Sequence, residues 1–255
     1  MKTNILFYGA GQKSHSLLVK LLFDRVYRSS FTGELVVVMA DTGNEHPETY
    51  KTVKEAMKLC AKNKINFIFL DSTGDMYDQK WHGGLLSYLK SNGIAKTKSC
   101  AKNLIHKPLS LFVKNWIEIN DLKKEDVAIL IGLDKSEQDR CNEELYGAGH
   151  KRYPLIESGY DRQACQTYLK SMGFNVPMPS SCMLCPYSSE HDVAYLKHFR
   201  AEMLVQWVEL EDGSKSTVLK NKSLLRAAEH RKSYMGESDL MTHKHYNGHS
   251  VKTKY

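Results

Sequence analysis

The stretch Asn4-Ile5-Leu6-Phe7-Tyr8-Gly9-Ala10-Gly11-Gln12-Lys13-Ser14-His15-Ser16 decides the reading of the fold. It passes from a mostly apolar run through a Gly-Ala-Gly turn directly into an apolar-rich segment that begins at Leu17. A buried strand that breaks at glycines and feeds a helix places backbone N–H groups and a helix N-terminus at the carboxyl edge of a sheet, a geometry suited to phosphate. The glycines let the backbone approach an anion, Lys13 adds a charge, and Ser14 or Ser16 is placed to cap the helix. The same turn also serves as a plain tight connection, because it is neither GxGxxG nor GxxxxGK[ST].

Outward from this stretch, Glu34 to Ala40 is a β-branched run without polar alternation, as a central parallel strand requires. It ends in the polar loop Asp41-Thr42-Gly43-Asn44-Glu45-His46. Pro47 then stands where a helix tolerates proline, and Val53, Ala56, Met57 and Cys60 follow at helical spacing, which makes Cys60 a core residue. Ile65 to Leu70 and Asp126 to Leu133 read as further strands, and Arg152 to Glu157 as a short edge element, since Pro154 cannot donate to a central ladder. This alternation predicts an α/β fold, a doubly wound, mainly parallel, Rossmann-like sheet over residues 1–157, with polar side chains at the strand ends where such folds place their ligands. Helices follow over residues 158–231, at Asp161 to Met172, Glu190 to about Leu210 and Ser216 to Arg231. Residues 232–255 read as a basic, weakly ordered tail.

The chain has 255 residues, of which 42% are hydrophobic and 25% charged, an ordinary globular balance. The apolar positions before Gly9 are too few for a signal-peptide core and no later run approaches a membrane span, so a soluble cytoplasmic protein without a membrane partner is expected. The net charge of +7 is uneven: residues 215–255 hold nine Lys or Arg against three acidic residues. Lys215, Lys220, Lys222, Arg226, Arg231 and Lys232 are therefore candidate nucleic-acid contacts, with a solvated helix as the plainer alternative.

Six cysteines in such a chain read as thiols or metal ligands rather than as a disulfide framework. Cys182 and Cys185 form a CxxC flanked by prolines, which is half of a metal site. Cys100, between Lys98 and Lys102, and Cys165, on the helix leading to the CxxC, are the favoured completing pair. Four thiolates at these positions suit either Zn²⁺ or an iron–sulfur cluster.

Several of these stretches together resemble the PP-loop ATP pyrophosphatases, in their phosphoadenosine phosphosulfate (PAPS) reductase-like branch. The similarity lies in Gly9 to Ser14, in Val38 to Thr49, in Cys100 to Pro108, in Ile131-Gly132-Leu133-Asp134, in Tyr153 to Glu157, and in Arg162 to Cys165 followed by Cys182 to Tyr187. It covers roughly residues 4–200. The resemblance implies an adenine nucleotide alpha hydrolase-like fold, with ATP or a related nucleotide held by Gly9, Ala10, Gly11, Ser14, Asp41, Thr42, Gly43 and Gly132. Lys13, Ser14, Asp41 and Asp134 are the implied catalytic residues. Mg²⁺ is the implied counter-ion, and a [4Fe–4S] cluster, with Zn²⁺ as the alternative, is implied at the four cysteines. The implied reaction is attack on the ATP α-phosphate, activating DNA or RNA for sulfur transfer or a related modification, with a sulfur donor or partner subunit. Lys13 departs from the pattern, because this loop usually carries Asp or Asn there. The absence of a cysteine beyond Cys185 disfavours direct sulfonucleotide reduction. A nucleotide pocket reused for nucleic-acid or base recognition, and a non-catalytic subunit of a modification complex, are the competing expectations.

Overall fold

The computed structural model describes residues 1–75, 82–92, 99–142, 149–185, 188 and 190–212. The helix expected from Ser216 and the basic tail lie outside the described residues.

The chain begins with β1 (Thr3–Phe7), α1 (Gln12–Phe23), α2 (Arg25–Ser29), β2 (Glu34–Ala40), α3 (Pro47–Lys62) and β3 (Asn66–Leu70). After α4 (Gly84–Asn92) and the short α5 (Ser99–Ala101), a π-helical turn at Lys102–His106 runs into α6 (Lys107–Ile119), which leads to β4 (Val127–Ile131). A 3₁₀ segment at Lys135–Asn142, β5 (His150–Arg152), α7 (Pro154–Glu157), α8 (Arg162–Ser171), α9 (Glu190–Phe199) and α10 (Ala201–Asp212) complete the described chain.

The five strands form one sheet in the order β3-β2-β1-β4-β5, and every pairing is parallel. This is the doubly wound α/β architecture that the alternation of apolar runs predicts. The edge element differs in detail. β5 ends at Arg152, and Pro154 opens α7 at a first-turn position where its missing N–H costs nothing.

Successive strand residues point to opposite faces, so each central strand feeds two cores. Ile5, Phe7, Val36, Val38 and Ile129 pack with Leu109, Phe112 and Val113 of α6, and with Val193, Leu196 and Trp207 of α9 and α10. Leu6, Val37, Ala128 and Leu130 pack on the other side with Leu17, Leu18 and Leu21 of α1 and with Val53, Ala56 and Cys60 of α3. Trp207 is fully buried and donates its indole N–H to the Met183 carbonyl at 2.9 Å, which ties α10 to the CxxC segment. Among the described residues no helix is long and apolar enough to cross a membrane.

The start of β2 depends on a close approach. Gly33 has φ 93°, and a Cβ there would lie 2.4 Å from the Lys2 carbonyl oxygen, the atom that accepts the Glu34 N–H at 2.9 Å. Gly33→Ala combines an unfavourable backbone conformation with a backbone clash, so it is expected to cost about 1–3 kcal/mol. Urea unfolding followed by circular dichroism should show a lower midpoint with an unchanged slope; an unchanged midpoint would refute the assignment.

Candidate functional site

The carboxyl ends of β1, β2 and β4 open into a cavity of about 480 Å³. It sits at the switch point of the sheet, where α/β folds hold their ligands. Its floor is the turn after β1. Ala10 in that turn is buried and has φ 54°, so the left-handed position falls on the alanine rather than on either glycine. A non-glycine residue held there stores roughly 1–3 kcal/mol of strain, a feature concentrated at ligand loops. Gly11 then caps α1 in an extended conformation without a side-chain cap. Ser14 turns its hydroxyl back, accepting from the Gly9 N–H at 3.3 Å and donating to the Gly11 carbonyl at 3.2 Å.

Two neighbours press on this loop. A Cβ on Gly132 would stand 3.1 Å from the Ser14 Cα and 3.2 Å from its nitrogen, so the end of β4 lies directly on the first turn of α1. A Cβ on Gly11 would stand 2.6 Å from the Ser180 Oγ and 3.3 Å from the Ser180 nitrogen. Pro179, Ser180, Ser181 and Cys182 thus form a wall over the glycine turn. That wall is anchored to the loop after β2 by an antiparallel bridge between Glu45 and Cys182 and by the Met183 N–H donating to the Asn44 carbonyl at 2.8 Å.

The cavity lining is chemically mixed. Met39, Ala40, Ile105, Leu109 and Ile131 supply apolar surface. Gly9, Gly11, Ser14, Ser180 and Ser181, with the cations Lys13, Arg140 and Arg162 and the carboxylates of Glu45 and Glu137, supply polar surface. Lys13 bonds the Glu137 carboxylate and lies 3.7 Å from Oδ2 of Asp134, while Arg140 donates to the other Glu137 oxygen at 2.6 Å. Burial pushes Glu137 up, but the Lys13 bond and charge, the Arg140 charge and the Asp134 N–H outweigh it and leave Glu137 below the usual carboxylate range. Asp134 is fully buried, and its Oδ1 accepts from the Ser136 N–H at 2.9 Å and from the Ser136 hydroxyl.

Of the nucleotide-binding and catalytic residues expected from sequence, Gly9, Gly11, Lys13, Ser14 and Gly132 line the cavity. Ala10, Asp41, Thr42, Gly43 and Asp134 are not among its lining residues. Asp41 accepts from the Tyr50 hydroxyl at 2.8 Å, and burial holds its carboxyl above the usual range. Thr42 donates to Glu45 at 2.7 Å, and Gly43 packs on Ser72 and Gly84. Glu45, Glu137, Arg140, Arg162 and Ser180 are cavity residues that sequence reasoning missed. Glu45 lies in the polar loop after β2 but was not singled out there, and the segments that carry Glu137, Arg140, Arg162 and Ser180 have no glycine turn of their own to mark them.

The four cysteines are not gathered. Cys165 is fully buried where α8 packs on α1, in the core that holds Leu6 and Leu17, and burial pushes its thiol up to about 11. Cys100 and Cys182 pack against the core on the opposite face of the sheet. Among the described residues no three His, Cys, Asp or Glu side chains cluster to hold a metal ion. The donor set therefore does not fit a four-thiolate iron–sulfur cluster or Zn²⁺. Cys165 uses the apolar stripe of α8 for packing, which its position on the helix leading to the CxxC did not reveal. Cys182 donates to Glu45 at 3.5 Å, and burial with the neighbouring Glu45 carboxylate pushes its thiol well up. The basic candidates Lys215, Lys220, Lys222, Arg226, Arg231 and Lys232 lie outside the described residues.

No family model and no curated protein matches the chain. Similar solved structures include phosphoadenylyl-sulfate (PAPS) reductase from Candida auris in a phosphate complex, 14% identical over 69% of this chain and 76% of that one, with a TM-score of 0.43. They also include the U34-tRNA thiolase NcsA from Methanococcus maripaludis with its [4Fe–4S] cluster, 11% identical over 83% of this chain and 71% of that one, with a TM-score of 0.46. A third is NAD⁺ synthetase from Burkholderia pseudomallei, 13% identical over 68% of this chain and 60% of that one, with a TM-score of 0.36. At such scores, the fold stated above rests on this chain's own strand order and register.

Behind the glycine turn, His15 is buried, its Nδ1 lies 2.8 Å from the Tyr8 hydroxyl, and burial pushes its pKa down to about 4. Above pH ~6.5 the ring is neutral in both folded and unfolded chains. Between there and the folded value only the unfolded chain takes up the proton, so stability falls as pH falls, by about 2 kcal/mol at pH ~5 from this group. Urea midpoints at neutral pH and near pH 5 should therefore drop more for the wild type than for His15→Gln. Equal drops would sink the assignment.

Proposed function

We propose that this chain binds an ATP-type adenine nucleotide in the crevice between the ends of β1 and β4 and activates an acceptor at its α-phosphate. The observation that carries the reading is one cavity whose lining combines apolar side chains with a glycine turn, a helix N-terminus and three cations. A planar base gains by burying its faces against Met39, Ile105, Leu109 and Ile131. Phosphates gain from the free N–H groups at the start of α1 and from charge-assisted bonds to Lys13, Arg140 and Arg162. Ser180 and Ser181 close the opposite wall, so a bound triphosphate would be held on two sides and partly shielded from water.

The acceptor in this reading is a nucleic acid, supported by the positive charge concentrated in residues 215–255. The chain's own groups supply the work: the glycine turn orients the phosphates, and the cations offset the charge that grows on the departing pyrophosphate. No step is assigned to an iron–sulfur cluster, because the cysteines do not converge.

Calorimetric titration with ATP, AMP and pyrophosphate tests the pocket. Binding of ATP is expected, with Arg140→Ala and Arg162→Ala each weakening it about tenfold, the loss of one charge-assisted bond, and affecting AMP less. No binding of any of the three would end the proposal. Incubation with ATP labelled in the α-phosphate, with DNA or RNA, should yield labelled AMP or an adenylated product. Binding without any α-phosphate product would instead make this a recognition pocket without turnover.

A further inference from the structure

We infer that the Lys13 ammonium is a resident cation that takes the place of a divalent metal between Asp134 and Glu137. The phosphate side of this inference rests on the nucleotide reading above; the cation side stands on geometry alone.

Two carboxylates reach toward the loop after β1 from the segment after β4. Oδ1 of Asp134 is satisfied by Ser136, whereas Oδ2 is buried and makes no hydrogen bond. That oxygen nonetheless faces a charge, the Lys13 ammonium at 3.7 Å, and the same ammonium bonds Oε2 of Glu137. A fully buried carboxylate oxygen without a hydrogen bond is unfavourable unless a cation stands close to it. Two carboxylates converging on one point from a single turn are the usual protein share of a Mg²⁺ site, which takes one or two carboxylates and completes its shell with phosphate and water. Here that point holds a side-chain nitrogen.

Two consequences follow from this arrangement. A hard cation would have to displace Lys13 and would meet its positive charge, so the residues present do not fit Mg²⁺ at this position. A phosphate oxygen, by contrast, competes with Glu137 for an ammonium that is already in place, and Arg140 is held on the far oxygen of the same carboxylate. Charge neutralisation of a bound polyphosphate then comes from the protein, and its affinity should not require a divalent ion.

Removing the ammonium uncovers the carboxylate pair. Mn²⁺ alone, titrated in the absence of nucleotide and followed by electron paramagnetic resonance, should bind Lys13→Ala at one site at least tenfold more tightly than the wild type. Lys13→Arg, which keeps the cation, should behave as the wild type does, and adding Asp134→Asn to Lys13→Ala should abolish the new site. Circular dichroism checks that each variant folds; if Lys13→Ala does not, Lys13→Gln is judged by the same criterion. Equal Mn²⁺ binding by wild type and variant, whether strong or absent in both, overturns the inference. A second arm compares ATP binding to the wild type in EDTA and in Mg²⁺. Affinities within a few-fold of each other support the inference, whereas tenfold or greater dependence on Mg²⁺ contradicts it. No ATP binding in either condition tells against the nucleotide reading and leaves the Mn²⁺ result to decide the cation.

Discussion

β1 is hydrogen-bonded on both edges and covered on both faces, and the other elements take their places from it. Its residues pair in step with β2 from Thr3↔Glu34 to Phe7↔Val38 and with β4 from Thr3↔Val127 to Phe7↔Ile131. Parallel neighbours cannot be joined by a tight turn, so each connection crosses a face of the sheet. Moving outward from β1 to β2 and β3 puts α1 and α3 on one face; returning to β4 puts α6 on the other. The chain therefore leaves β1 and arrives at β4 on opposite sides. The gap between their carboxyl ends is the cavity.

What the gap can hold is set by how closely its walls approach. Gly132 lets β4 rest on the first turn of α1, and Gly11 lets the Ser180 backbone rest on the glycine turn. Each contact would be pushed apart by a single methylene or methyl group, so these glycines act through close packing. The positive φ belongs to Ala10 instead, where the buried methyl group packs into the core that holds Leu17. The loop is thus held from below by packing and from above by the bridge between Glu45 and Cys182. A turn fixed on both sides presents its N–H groups with little freedom left to lose on binding.

Charge in the site is organised around burial. Asp134 has no exposed surface, and taking a carboxylate out of water requires hydrogen bonds and an opposite charge. Ser136 supplies the first and Lys13 the second. The ion pair between Arg200 and Glu48, at 3.0 Å, plays a comparable part at the start of α3, joining that helix to the junction of α9 and α10. Both pairs fasten segments far apart in sequence to the carboxyl edge of the sheet. In both, breaking one partner would leave a buried charge behind.

The sequence by itself determined the sheet. Apolar runs without alternation, separated by helical periodicity, mark strands buried on both faces, and the glycine turn after the first marks the edge where a ligand would sit, because these signals depend on local spacing. Gly9, Gly11, Lys13, Ser14 and Gly132 were legible at the cavity for the same reason: they stand at strand ends or helix starts. Only the tertiary structure decided the rest. Arg140 and Ser180 reach the cavity from segments whose local patterns carry no trace of it, and Arg162 stands in a stretch whose spacing did not mark it as a cavity residue. Cys165 shows the converse, since a helical stripe records that a face is buried but not which side of the sheet it is buried against. The partners of Lys13 belong to the same class: Asp134 and Glu137 lie more than a hundred residues away, and a charge in a loop acquires its meaning only from what the fold places beside it.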